Sequence, residues 1–92
     1  MYMRVRHVRH DPAKLDEGIA LSLEVHAALR QRPGFQSGMI ALDRTTGEAF
    51  AVSTWDTEEH AGFPGGAVDL AGRDEAAGLQ VDPPQVFEII AS

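Results

Sequence analysis

Cysteine is missing from all 92 residues, which excludes a disulfide scaffold, thiolate metal sites and a cysteine nucleophile. Aromatic residues are scarce: one Trp, one Tyr and four Phe. The large apolar payload is therefore thin for a chain that buries only about 60–65% of its unfolded surface, and a partner subunit is expected to supplement it. No apolar run approaches the roughly 18 residues of a membrane span. Positive charge is also short. Eight Lys and Arg face 14 Asp and Glu, for a net −6. Residues 1–44 carry +2 and residues 45–92 carry −8. That balance argues against a nucleic-acid partner, which needs clustered positive charge to displace counterions. Arg4, Arg6 and Arg9 stand where a signal peptide would have its apolar core, so a soluble cytoplasmic protein is expected. The three arginines are expected to lie across a sheet from acidic residues such as Glu88.

One domain over 1–92 accounts for the chain, with no internal repeat. Residues 2–9 alternate like a strand, with Met3, Val5 and His7 on one face and Arg4, Arg6 and Val8 on the other. Asp11-Pro12 opens a helix, as N-cap and first helical residue. The helix runs to about Gln31, its apolar arc made by Leu15, Ile19, Leu23, Val25 and Leu29. Arg32-Pro33-Gly34 ends it. Residues 36–43 and 48–55 form a hairpin about Thr45-Thr46-Gly47. In its second strand Ala49, Ala51, Ser53 and Trp55 share one face, small enough at most positions for a helix to lie close. Asp56 and Glu59 have capping-box spacing for a short helix. A second weak helix is placed at 67–77, and a last strand at 86–91 after Pro83-Pro84.

The order βαββαβ gives an α+β, ferredoxin-like fold: a four-stranded antiparallel sheet with both helices on one side. The far face stays uncovered. Phe50, Val52, Ile40 and Leu42 are expected to line part of it. A bare apolar sheet of that size is rare on a soluble monomer, so a two-fold homodimer with the sheets face to face is expected.

Three stretches then resemble a known family. Pro33-Gly34-Phe35, the hairpin end Ser53-Thr54-Trp55 and the junction Asp56-Thr57-Glu58-Glu59 are similar to the antibiotic biosynthesis monooxygenase-like family of dimeric α+β barrels. The resemblance implies a ligand pocket between helices and sheet in each subunit. It also implies either cofactor-independent oxygenation of aromatic, polyketide-like or quinol substrates, or haem degradation. The haem pattern is departed from: the first strand has no Asn, and His60 falls too soon after the Trp. The quinone-forming pattern is departed from as well, with Ala51 and Ser53 in place of a Tyr and an Asn.

Candidate site residues follow from what cofactor-free oxygenation requires: a dry cavity, a base and an orienting group. His26 on the helix is the candidate base. Its alternative is a semi-buried His bonded to Ser22 or to a backbone carbonyl. His7, Ser22, Ser53, Trp55 and Phe63 are candidate ligand contacts, with His7 and His26 flanking one cavity and Phe63 in a glycine-hinged lid. The alternative for Trp55 is a core aromatic that anchors the strand–helix junction. His7 and His10 fall on opposite strand faces and cannot chelate together, and the sequence has no Gly-rich phosphate cradle or redox pair, so neither metal nor cofactor is expected. The rival function is a non-catalytic binding or structural protein. A void of roughly 300 Å³ touching His26 and Trp55 would favour a ligand, whereas a filled interior would favour the rival.

Overall fold

The computed structural model describes residues 1–92. Its elements are β1 (Tyr2–His10), α1 (Leu15–Leu29), β2 (Phe35–Leu42), β3 (Glu48–Trp55), α2 (Glu58–Ala61), α3 (Arg73–Ala76), β4 (Leu79–Val81) and β5 (Gln85–Glu88). All strand pairs are antiparallel. The order is β2-β3-β1-β4, with β5 also on β1. β4 and β5 together are the fourth ferredoxin-like strand, broken at Asp82-Pro83-Pro84. Neither proline can donate to the ladder. The chain stays docked across the break through Asp82 N–H, which donates to His7 O at 3.0 Å.

Asp11 caps as its position suggests, its Oδ1 accepting from Ala13 N–H at 2.9 Å. The first turn, Pro12–Lys14, is 3-10 before α1 proper begins. The hairpin turn is held by Asp43 Oδ1, which accepts from Thr45 and Thr46 N–H. Gly47 takes φ 81° there, where a side chain would strike the His10 carbonyl. Gly34, at φ 82°, touches Asp56 and His60 so closely that no side chain fits. The Pro-Gly-Phe turn is thus a docking point for α2.

Several local expectations change. Thr57, not Asp56, caps α2, its Oγ1 accepting from His60 N–H. Only Arg73–Ala76 of the proposed 67–77 helix is helical. The last strand starts at Gln85, and β4 precedes it. On α1, Leu23 is 62% exposed while Leu21 and Gly18 are buried, so positions 18, 21, 22 and 25 form the sheet-facing stripe. Ile40 pairs with Ala51 and Leu42 with Ala49, which turns both towards the helices. The outer face instead carries Met39, Phe50 and Phe87, exposed at 65%, 43% and 47%, together with Met3, Val5 and Val52. Arg4 and Arg6 have no acidic partner, and Glu88 sits opposite Tyr2. Arg9 alone of the three meets a carboxylate, Asp82, at 3.9 Å.

Candidate active site

The space between α1 and the sheet is solid at one end. Trp55 is fully buried, edge-on to Phe35 and Phe63 with centroids 5.5 Å apart in each case. Tyr2, Leu29, Ala61 and Val86 close the cluster. The indole N–H of Trp55 donates to Ser53 Oγ at 2.9 Å, which satisfies its one polar atom. Trp55 touches no cavity. Phe63 is buried rather than carried on a lid, because two guanidinium groups, Arg4 and Arg32, each stack 3.8 Å from its ring centre. Arg4 also donates to three carbonyls: Ala61 O at 2.9 Å, Phe63 O at 3.0 Å and Gly65 O at 2.9 Å. Burial, with Arg6 and Arg32 nearby, lowers its pKa to about 10, so it stays a cation at neutral pH.

The other end is hollow. Even-numbered residues of β1 face the helices, and with Ala49 and Ala51 of β3 they enclose a chamber of about 70 Å³ beneath α1. Nine of its twelve lining residues are apolar; the polar ones are Arg6, His10 and Ser22. A surface cleft of about 290 Å³ lies beside it, lined by Ile19, Leu23, Leu42 and Arg44. His10, Ser22 and Ile40 belong to both spaces and form the partition between them. His10 is 5% exposed, and its Nδ1 is buried without a hydrogen-bond partner. Its Nε2 lies 3.5 Å from Ser22 Oγ, at the outer limit of hydrogen-bond distance. Gly18 lets α1 rest on this imidazole; an added methyl would come within 2.6 Å of His10 Cδ2.

The expected site residues are therefore not one constellation. His26 lies over Gly38 of β2, where a methyl at 38 would meet its Cε1 at 3.3 Å. It lines neither the chamber nor the cleft, and it bonds neither Ser22 nor a backbone carbonyl. His7 is on the opposite face of the sheet, 4.8 Å from the Phe50 ring centre. There it sits between Asp82 and Glu48, each at 3.1 Å. The cavity flanked by His7 and His26 does not exist, because β1 turns its odd positions outward. Ser22 does reach the chamber, while Ser53 and Phe63 border a smaller void of about 60 Å³ near Arg4 and Arg6. Sequence reading passed over His10 and Arg6. Their signal was parity: both share a β1 face with Arg4 and Val8, and that face meets the small side of β3. His60 is bonded to Asp56 through Nδ1 at 2.7 Å. No group of three or more His, Asp or Glu side chains has metal-binding geometry.

Element order, strand order and the single helical layer define the ferredoxin-like fold of the antibiotic biosynthesis monooxygenase structures. No family model and no curated protein matches the sequence itself. Among solved structures, the chain is similar to a candidate antibiotic biosynthesis monooxygenase from Deinococcus radiodurans, at TM-score 0.76 and 14% identity over 100% of this chain and 95% of that one. It is similar to SnoaB, a cofactor-independent oxygenase from Streptomyces nogalater, at TM-score 0.68 and 15% identity over 99% and 94%. A candidate monooxygenase from Shewanella loihica matches at TM-score 0.62 and 16% identity over 99% and 95%. At these identities the likeness is one of fold, and any activity must be argued from the site.

Proposed function

We propose that the protein binds a small, largely apolar aromatic molecule at the hollow end of the helix–sheet layer and acts on it as a cofactor-independent monooxygenase. The observation that carries this reading is the His10–Ser22 pair standing between an apolar chamber and an open cleft. The cleft, at about 290 Å³, lies near the lower end of the ligand-site range of roughly 300–1,000 Å³, and the apolar chamber adjoins it. The reaction suited to such a site takes a proton from a phenol or quinol. The resulting electron-rich anion then reduces O₂, one oxygen atom entering the product and the other leaving as water. An imidazole is the natural base near neutral pH, and His10 is the imidazole at the cleft. The base is therefore assigned to His10 in place of His26. SnoaB's description as a cofactor-independent oxygenase supports the reaction class.

The working form in this reading is a homodimer. Met39, Phe50 and Phe87 leave an apolar outer sheet face that a second copy would cover. Oxygen uptake with hydroxylated anthrones or quinols tests the chemistry. Turnover is expected to be lost in His10→Ala and kept in His26→Ala; the reverse pattern would overturn the assignment. The small chamber favours one rival, binding without turnover, which would show ligand affinity with no oxygen consumption.

A further inference from the structure

Arg4 and Arg6 are two residues apart on the same face of β1 and are treated oppositely by the fold. Arg4 has three carbonyl acceptors. Arg6 has none, and its Nε is buried without any hydrogen-bond partner. A buried guanidinium nitrogen left unpaired costs more than a neutral donor would. Burial lowers the Arg6 pKa, and the guanidinium remains positive at neutral pH. No carboxylate lies in ion-pair range of Arg4, Arg6 or Arg32, whereas Arg9 and Arg73 each have one. Asp69 and Asp74 share an outer cleft with Arg6 but make no ion pair with it. Positive potential is thus concentrated at the inner wall of an otherwise apolar chamber.

We propose that Arg6 is the anion-recognition residue of this site, and that the ligand is an aromatic acid whose carboxylate pairs with the Arg6 guanidinium while its rings occupy the apolar chamber and cleft. The proposal rests on the ligand-site reading above and adds the ligand's charge. The forked guanidinium suits a planar carboxylate, which it can engage through two parallel N–H donors.

Calorimetric titration with 2-naphthoate and 2-naphthamide, alike in shape and different in charge, tests it. The acid is expected to bind the wild-type protein about tenfold more tightly than the amide, the scale of one charge-assisted hydrogen bond. Arg6→Gln is expected to erase that preference while keeping amide affinity. In ¹⁵N spectra, the Arg6 Nε–H resonance is expected to move with the acid and not with the amide. Equal affinity of the two compounds for the wild-type protein would overturn the proposal and leave the ligand site standing. A preference that survives Arg6→Gln and disappears in Arg44→Gln would also overturn it, moving recognition to the mouth of the cleft. Binding of neither compound would overturn both this proposal and the ligand-site reading. The wild-type comparison and the resonance need no variant, so a poorly folding Arg6→Gln would not shield the proposal.

Discussion

Ala49 and Trp55 sit six residues apart on one face of β3, both essentially inaccessible to solvent, yet the layers above them differ completely. Over Trp55 the indole, two phenyl rings and a tyrosine fill the gap between sheet and helices. Over Ala49 and Ala51 the methyl groups stop short of α1, and a chamber remains. Ala49 and Trp55 belong to one strand, and side-chain volume on its inner face decides where the interior is solid and where it is hollow. The polar groups follow the same division. At the solid end Arg4 and the Trp55 N–H are satisfied by protein atoms. At the hollow end His10 Nδ1 and Arg6 Nε are not.

Emptying the solid end is the most damaging way to test this contrast. Trp55→Ala removes the largest buried side chain and should cost about 3–5 kcal/mol, read as a lowered midpoint in urea or outright failure to fold. Filling the hollow end should do the opposite kind of harm. Ala51→Leu places extra carbon where space exists and should change stability by no more than about 1–2 kcal/mol, while abolishing binding of aromatic probes. Comparable destabilisation by the two substitutions would mean that the ends are not different in kind.

The two arginines give the next effect in size. Arg4→Met strands three carbonyls, two of them buried, and should cost about 2–4 kcal/mol. Arg6→Met deletes a buried donor that has no protein acceptor and should leave the protein at least as stable as the parent, because the cost of the unpaired nitrogen goes with it. Denaturation of the pair, side by side, checks this. An Arg6→Met loss as large as that of Arg4→Met would show that Arg6 is held by the fold.

Much of the frame was legible because its signals are local. Asp11-Pro12, the Thr45-Thr46-Gly47 turn and the alternation of residues 48–55 each fix an element through neighbours a few positions away, and the element order then restricts the topology. What escaped depended on register or on residues far apart in sequence. The pairing of Leu42 with Ala49 turns Ile40 and Leu42 inward, and no feature within β2 alone announces it. β4 spans three residues, too few for a periodic pattern, so the fourth strand was read only from its later half. The chamber escaped for a related reason. His26 and Trp55 stood out by residue type, whereas the chamber is set by two alanines, which stand out by nothing. The partners of Arg4 are backbone carbonyls more than fifty positions away, invisible to charge pairing.

The smallest effect concerns the cover of the hollow end. Leu70 and Leu79, either side of α3, line the chamber, and α3 is fastened to α1 by Arg73, whose Nη1 donates to Glu24 Oε1 at 2.9 Å. That hydrogen bond, with the charge of Arg73, holds the Glu24 carboxyl below its ordinary range. A carboxylate with a lower pKa folded than unfolded contributes above its unfolded value, roughly 4.3, and the contribution is lost as pH falls through the folded value. Both side chains are about half exposed, so solvent and salt screen the pair and global stability should hardly register it. Local opening should. Glu24→Gln is expected to speed amide exchange in Arg73–Ala76 at neutral pH and leave β1 and β3 unchanged. Its difference from the parent should shrink in high salt and vanish as pH falls through the lowered folded-state value of Glu24, where the parent carboxylate is itself protonated. Exchange that accelerates equally across the Trp55 cluster would show the two ends opening as one unit, and the contrast between them would then be one of packing but not of dynamics.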